Sequence, residues 1–278
     1  MKVKPVASVS VLIILAAAVL AIALGATGYT PSLELRPLAE FYLKHCLNPF
    51  KKEYWAASPE AVTSMLWDYR GLDTVYETTV FFLAIIGSVA VFRFAEAALT
   101  SYKEAEKGKP KAEEGLSLIV RVITRIVFVL IVALSAAIAL HGHLTPGGGF
   151  QAGSIFAVAP LLAIAAFSRR FLEELGLTKN KCLAIRTTGL LAIALIALIP
   201  LAFVLMGFAG SFIIQNQPKP WALHPVFPGF PVNLGPIWLA GTLILFNIAE
   251  YLTVASGFTL LFILLALPEE FFRRLMGK

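Results

Sequence analysis

The stretch Leu118–Leu140, LIVRVITRIVFVLIVALSAAIAL, decides the fold class. Its polar residues are Arg121, Thr124, Arg125 and Ser135, and the first three sit near its start. About 20 predominantly apolar residues cross a bilayer core of about 30 Å as an α-helix. Working outward, five more stretches read the same way: Val6–Ala26, Val75–Leu99, Phe150–Phe167, Leu183–Phe208 and a segment within Leu234–Leu267. The composition agrees, with 58% of the 278 residues hydrophobic and 14% charged, where a soluble domain carries about 25% charged. The mean hydropathy is +0.81. A soluble fold would leave such faces exposed. The expectation is therefore an all-α integral membrane protein of about six transmembrane helices in the cell (plasma) membrane, with the lipid bilayer as its solvent.

The first stretch follows Lys2 and Lys4, as a signal peptide would, but its length exceeds the usual apolar core of about 7–15 residues, so it reads as a span. The last is too long for one straight crossing, at about 51 Å for its residues in helix. Gly235-Pro236, Gly241 and Asn247 are places for a break. The expected arrangement is a short half-buried segment up to about Phe246 and a span from Asn247 to Leu267, with one long tilted helix as the alternative.

Basic residues orient such a chain. With Met1 inside and sides alternating, 17 of the 23 Lys and Arg fall on the inner side, Arg186 among them, and six (Arg36, Lys44, Lys51, Lys52, Arg70, Lys219) on the outer. Both termini are thus expected to be cytoplasmic. The net charge of +6 serves this orientation and does not call for nucleic acid. Residues 101–115, including YKEAEKGKPKAEEG from Tyr102, read as a charged linker between a two-span segment, 1–100, and a four-span domain, 116–278. The long outer loop carries Tyr54, Trp55, Trp67 and Tyr69, which suit an interfacial aromatic belt. Cys46 and Cys182 form no CxxC pair, which argues against a zinc or iron–sulfur site held by this chain alone.

Two runs carry functional signal. The first is Arg70-Gly71-Leu72-Asp73-Thr74-Val75-Tyr76-Glu77. Asp73 or Thr74 can cap the helix that follows, and Glu77 falls one turn inside it. A carboxylate at a membrane depth is costly, about 2.5–3.5 kcal/mol for Asp at a helix centre, and such groups mark ion and proton paths. The competing reading is a first-turn acid favoured by the helix dipole. The second run is His141-Gly142-His143-Leu144-Thr145-Pro146-Gly147-Gly148-Gly149-Phe150-Gln151-Ala152-Gly153. Pro146, Gly147 and Gly148 force a reversal, and Gly149 and Gly153 form a small-xxx-small surface for close helix approach. His143 can titrate near neutral pH and pass protons, or it can simply close the turn. His141 and His143 do not share a helical face, which speaks against a metal pair. Further on, Glu250 lies among apolar residues with no basic residue near it in sequence.

The run from His143 to Phe150 resembles the Gly-His-Asn-x-Pro-Gly-Gly-Gly-Phe motif of the B subunit of multisubunit Mrp-type sodium/proton antiporters, which usually has Asn at the position of Leu144. The resemblance covers about residues 116–278. The Arg70-Gly71-Leu72-Asp73-Thr74…Glu77 run is similar to the Arg-Gly-Phe-Asp-Thr-x-x-Glu motif near the C-terminal end of the antiporter A subunit. In archaeal membrane-bound hydrogenases and sulfur reductases that piece is a separate small subunit. The resemblance implies a fusion of two neighbouring antiporter-module subunits. It implies an ion-translocation role for Glu77, with Asp73, His143 and Glu250 as further candidates.

The expected function is a non-catalytic subunit forming part of a sodium/proton path, with no catalytic residue, metal or cofactor of its own. Sodium ions or protons would be the transported species. Its partners would be other antiporter-module membrane subunits and a redox module carrying iron–sulfur clusters. The alternative is a purely structural scaffold that docks neighbouring membrane subunits.

Overall fold

In the computed structural model the residues described are 5–24, 34–50, 54–105, 116–207, 213–214, 232–235, 237–239 and 241–266. The chain divides into two compact units, 1–43 and 44–278. In the first, α1 (Pro5–Ala23) is apolar on all sides; its described side chains, such as Leu12, Ile14 and Val19, are exposed as lipid-facing groups are. A short α2 (Pro37–Phe41) opens on a proline and runs into a π-helical turn, Tyr42–Cys46.

The second unit holds the remaining helices. Five stretches in it are long and apolar enough to cross a membrane: Gly71–Arg93, Leu118–His141, Gly149–Phe167, Lys179–Leu205 and Thr242–Leu265. The chain is a multi-pass membrane protein. A short α3 (Ala61–Ser64), N-capped by Glu60, continues into a π-helical turn, Met65–Tyr69, and leads to α4 (Gly71–Ala105). Next come α5 (Leu118–His141), α6 (Gly149–Phe167) and a short α7 (Arg169–Glu174). One expected span is α8 (Lys179–Ala197) followed by α9 (Ile199–Leu205). They break at Leu198 because Pro200 has no N–H to return to the preceding turn.

The end of the chain departs from expectation. Ahead of the last span lies an antiparallel hairpin, β1 (Val232–Leu234) and β2 (Ile237–Leu239), turning at Gly235. Gly241, at φ 59°, ends it, and α10 (Thr242–Leu265) starts at once. The helix therefore begins five residues before Asn247. A residue with positive φ is a steric boundary that glycine tolerates, and it outweighed the polar character of Asn247. Asn247 and Glu250 consequently lie inside the helix and do not form its polar mouth.

Helix α10 is the centre of the unit, packed against α4, α5, α6 and α8. With no hydrophobic drive between helices in lipid, close packing falls to small residues. The positions that do this are Gly149 and Gly153 on α6 and Gly189 on α8. Added side-chain carbons there would strike Asn247, Val254 and Thr253 of α10. The outer face of α5 (Ile119, Ile123, Ile126, Val129, Leu130) stays exposed, as a lipid face should. The charged stretch at 106–115 and the basic residues Lys2, Lys4, Lys51, Lys52, Lys219, Arg273, Arg274 and Lys278 used for orientation lie outside the described residues.

Candidate functional site

Helices α4, α6 and α10 start at one end of the unit, and the loop from Tyr54 to Tyr69 covers them there. Its polar side chains meet the backbone groups that α5 leaves unpaired at its C-terminus. Ser58 Oγ donates to the carbonyl of His143 at 2.5 Å, and Thr63 Oγ1 donates to that of Gly142 at 2.6 Å. Thr74 Oγ1, at the start of α4, donates to the carbonyl of Leu66 at 2.6 Å. The Trp67 ring lies flat on Phe246 of α10, with centroids 4.4 Å apart and planes 5° from parallel.

This corrects the belt reading. Trp55 and Trp67 are both 1% exposed, covered by protein on every side. A tryptophan needs an apolar body and a polar neighbour for its N–H, and here the Trp67 indole lies beside the buried Glu250.

Beneath the loop is a cavity of about 190 Å³. Its polar lining comes from Thr63, Thr74, Glu77, Gln151, Asn247 and Glu250, and its apolar lining from Leu66, Trp67 and Phe150, with the backbone of Gly147 and Gly148. Glu250 is 6% exposed, and the Phe150 backbone N–H and the Trp67 indole stand beside its carboxylate. The first N–H groups of α6 have no helical partner and carry the positive end of its dipole. Glycine makes the approach feasible: a Cβ on Gly149 would lie 2.7 Å from Glu250 Oε2. The Pro-Gly-Gly-Gly run thus turns the chain and also bares a helix N-terminus to a carboxylate. Glu77 faces the same cavity from α4, exposed on its other side, and lies near enough to Glu250 for a direct Coulomb interaction. Asn247 is fully buried, and neither its Oδ1 nor its Nδ2 has a partner among the described residues.

The four candidate ion-path residues do not all meet. Glu77 and Glu250 share the cavity. Asp73 is exposed on α4 and pairs with Arg70, one turn away. His143 is buried under the loop, with Nδ1 unpartnered among the described residues. Burial, then the neighbouring His141, holds its pKa below the ordinary value. Cys46 and Cys182 are buried and free. Among the described residues no three His, Cys, Asp or Glu side chains gather as a metal site would.

Two participants escaped sequence reasoning. Asn247 is one, because only a helix beginning at Thr242 carries it inward. Arg186 is the other. Grouped above with the basic residues of the inner side, it is instead completely buried two turns into α8. Its guanidinium lies 4.6 Å from the ring centre of Phe81 and 5.0 Å from that of Phe82. A count of basic residues near span ends cannot separate a snorkelling side chain from one turned inward.

Residues 119–260, just over half of the chain, match the family described as a domain related to the MnhB subunit of Na+/H+ antiporters, and the chain belongs to that family. It is 30% identical to an uncharacterised protein of Methanocaldococcus jannaschii, over 72% of this chain and 74% of that one. It is also 30% identical to a protein of Staphylococcus haemolyticus named as antiporter subunit mnhB2, over 50% of this chain and 86% of the relative. Its fold is similar to a chain of the membrane-bound sulfane sulfur reductase, an archaeal respiratory membrane complex: TM-score 0.57, 24% identity, covering 94% of this chain and 99% of that one. A chain of the Mrp complex from Dietzia sp. matches with TM-score 0.57 and 19% identity, covering 96% of this chain but 26% of that one.

Proposed function

We propose that this chain is a non-catalytic membrane subunit of a multisubunit ion-translocating complex, and that the Glu77–Asn247–Glu250 cavity is its share of a sodium/proton path. One observation carries the reading: two carboxylates and an amide with no partner among the described residues face one small cavity within the spans. Unpaired polar groups in such a place are expensive. A cation between the carboxylates offsets their repulsion and gives the Asn247 oxygen something to coordinate. Family membership and the named antiporter relative support the same class.

Under this reading the partners are other antiporter-module membrane subunits. The likeness to a respiratory complex favours attachment to a redox module with iron–sulfur clusters, a sulfur reductase or a hydrogenase. Both termini are cytoplasmic, and residues 1–100 and 116–278 descend from two neighbouring subunits joined by the charged stretch 101–115. The glycine seams of α6 and α8 favour a second reading, a scaffold that only packs helices.

Transport by the purified, reconstituted complex separates the two. Glu77→Gln and Glu250→Gln keep shape and hydrogen-bonding capacity. Assembled complexes that have lost coupled sodium or proton transport support the path. Full coupling in both variants leaves the scaffold.

A further inference from the structure

The cavity and Arg186 lie on one seam. Along α10, Glu250 borders the cavity, and Arg186 reaches the same helix three to seven residues further on. Its Nη1 donates to the carbonyl of Thr253 at 3.4 Å, and a Cβ on Gly257 would fall almost on that nitrogen. That separation is about 4 to 10 Å along the axis, at 1.5 Å per residue. On α4 the order is the same: Glu77 faces the cavity, and Phe81, one turn on, faces the guanidinium. Three rings cluster beside the guanidinium on the side of α4. Phe81 packs on Phe258 at 5.0 Å and on Phe150 at 6.2 Å, and Phe150 is itself part of the cavity wall.

Arg186 is an odd residue to bury only for packing. It is 0% exposed, and its Nε and Nη2 have no partner among the described residues. Two aromatic faces and one long hydrogen bond are modest compensation for a buried charge. A guanidinium stays charged under any physiological condition, so the seam beyond the rings carries a permanent positive field. In a low-dielectric setting that field strongly opposes a second cation.

We infer that Arg186 is a specificity-determining residue of the ion path: with the Phe81–Phe150–Phe258 rings it closes the α4/α8/α10 seam to cations. An ion in the Glu77–Glu250 cavity must then leave sideways past the exposed flank of Glu77, where a neighbouring subunit would receive it, and cannot slip straight through this chain. The inference rests on the cavity being part of the path.

The test uses the whole complex in sealed vesicles, with radioactive sodium and a potassium-diffusion potential but no redox or proton drive. Arg186→Gln retains a donor for the Thr253 carbonyl and removes the charge; Arg186→Lys keeps the charge. Passive sodium uptake should rise about tenfold or more in Arg186→Gln combined with Phe81→Ala, and stay at the wild-type level in Arg186→Lys. Chloride uptake should not rise with it. Background sodium uptake in the assembled double variant overturns the inference, as does an equal leak in Arg186→Lys. If Arg186→Gln does not assemble, Phe81→Ala alone decides: the intact charge should hold sodium at background, and a leak there overturns the inference. Failure of the cavity reading shows separately, as unchanged coupled transport in both Glu77→Gln and Glu250→Gln with Arg186 intact.

Discussion

Gly149 and Glu250 meet so closely that a Cβ on the glycine would lie 2.6 Å from the glutamate Cβ and 2.7 Å from its Oε2. The same carbon would stand 2.5 Å from the carbonyl oxygen of Asn247, which is backbone and cannot swing aside. One turn on, a Cβ at Gly153 would press on Val254 and the Ala255 nitrogen at 2.7 and 2.9 Å. Gly149→Ala and Gly153→Ala must therefore part α6 from α10, at a cost of about 1–3 kcal/mol each. Gly87, in α4, has open space and is the control: Gly87→Ala should be neutral or slightly stabilising. Thermal unfolding of the purified complex in detergent checks all three, and a neutral Gly149→Ala would contradict the packing.

Trp67 does two things, stacking on Phe246 and setting its indole N–H beside the Glu250 carboxylate. Its substitutions should separate them. Trp67→Phe preserves an aromatic face and loses only the polar N–H beside the carboxylate, and should cost no more than about 0.5–1.5 kcal/mol. Trp67→Ala also empties a buried site and should cost about 3–5 kcal/mol. Equal losses in the two would mean that stacking contributes nothing, against the geometry.

The spans were legible because a membrane asks for one thing, a long apolar run, and Leu118–Leu140 supplies it without help from tertiary structure. Glu250 was legible for the complementary reason, as an acid isolated in such a run. What could not be read was direction. Trp67 has the composition of an interfacial belt, and nothing local says that Phe246, far along the chain, lies flat against it. Arg186 sits near a span end, where counting treats every base as an orientation signal. Asn247 looked like the start of a helix until Gly241 proved to be the boundary. Each of these depends on which face a neighbouring helix covers, and that is set by packing between distant segments.

The loop over the cavity is held by specific hydroxyls. Ser58 and Thr63 satisfy the carbonyls of His143 and Gly142, which no helical N–H can reach. Ser58→Ala and Thr63→Ala should each cost about 1 kcal/mol and loosen the loop before any span. Hydrogen exchange should show faster exchange confined to about residues 54–70. Exchange spread over α10 would instead mean that these contacts hold the core.

His143 makes the same junction sensitive to acid, and the sign follows from its environment. Burial, with His141 beside it, lowers its pKa from the ordinary 6.5. In the window between the lowered value and 6.5 the unfolded chain binds more protons than the folded one, so stability rises with pH there. The contribution is fully present above 6.5 and is lost as pH falls through the folded value. Seating a charged imidazole under the loop, with Nδ1 unpartnered among the described residues, is the physical cost. The thermal midpoint of the wild-type complex should therefore fall between about pH 7.5 and about pH 5.5, and His143→Gln should fall less over the same range. Other histidines titrate in both proteins, so the difference between the two slopes is the measurement. Identical slopes would mean that His143 titrates freely and is not held beneath the loop.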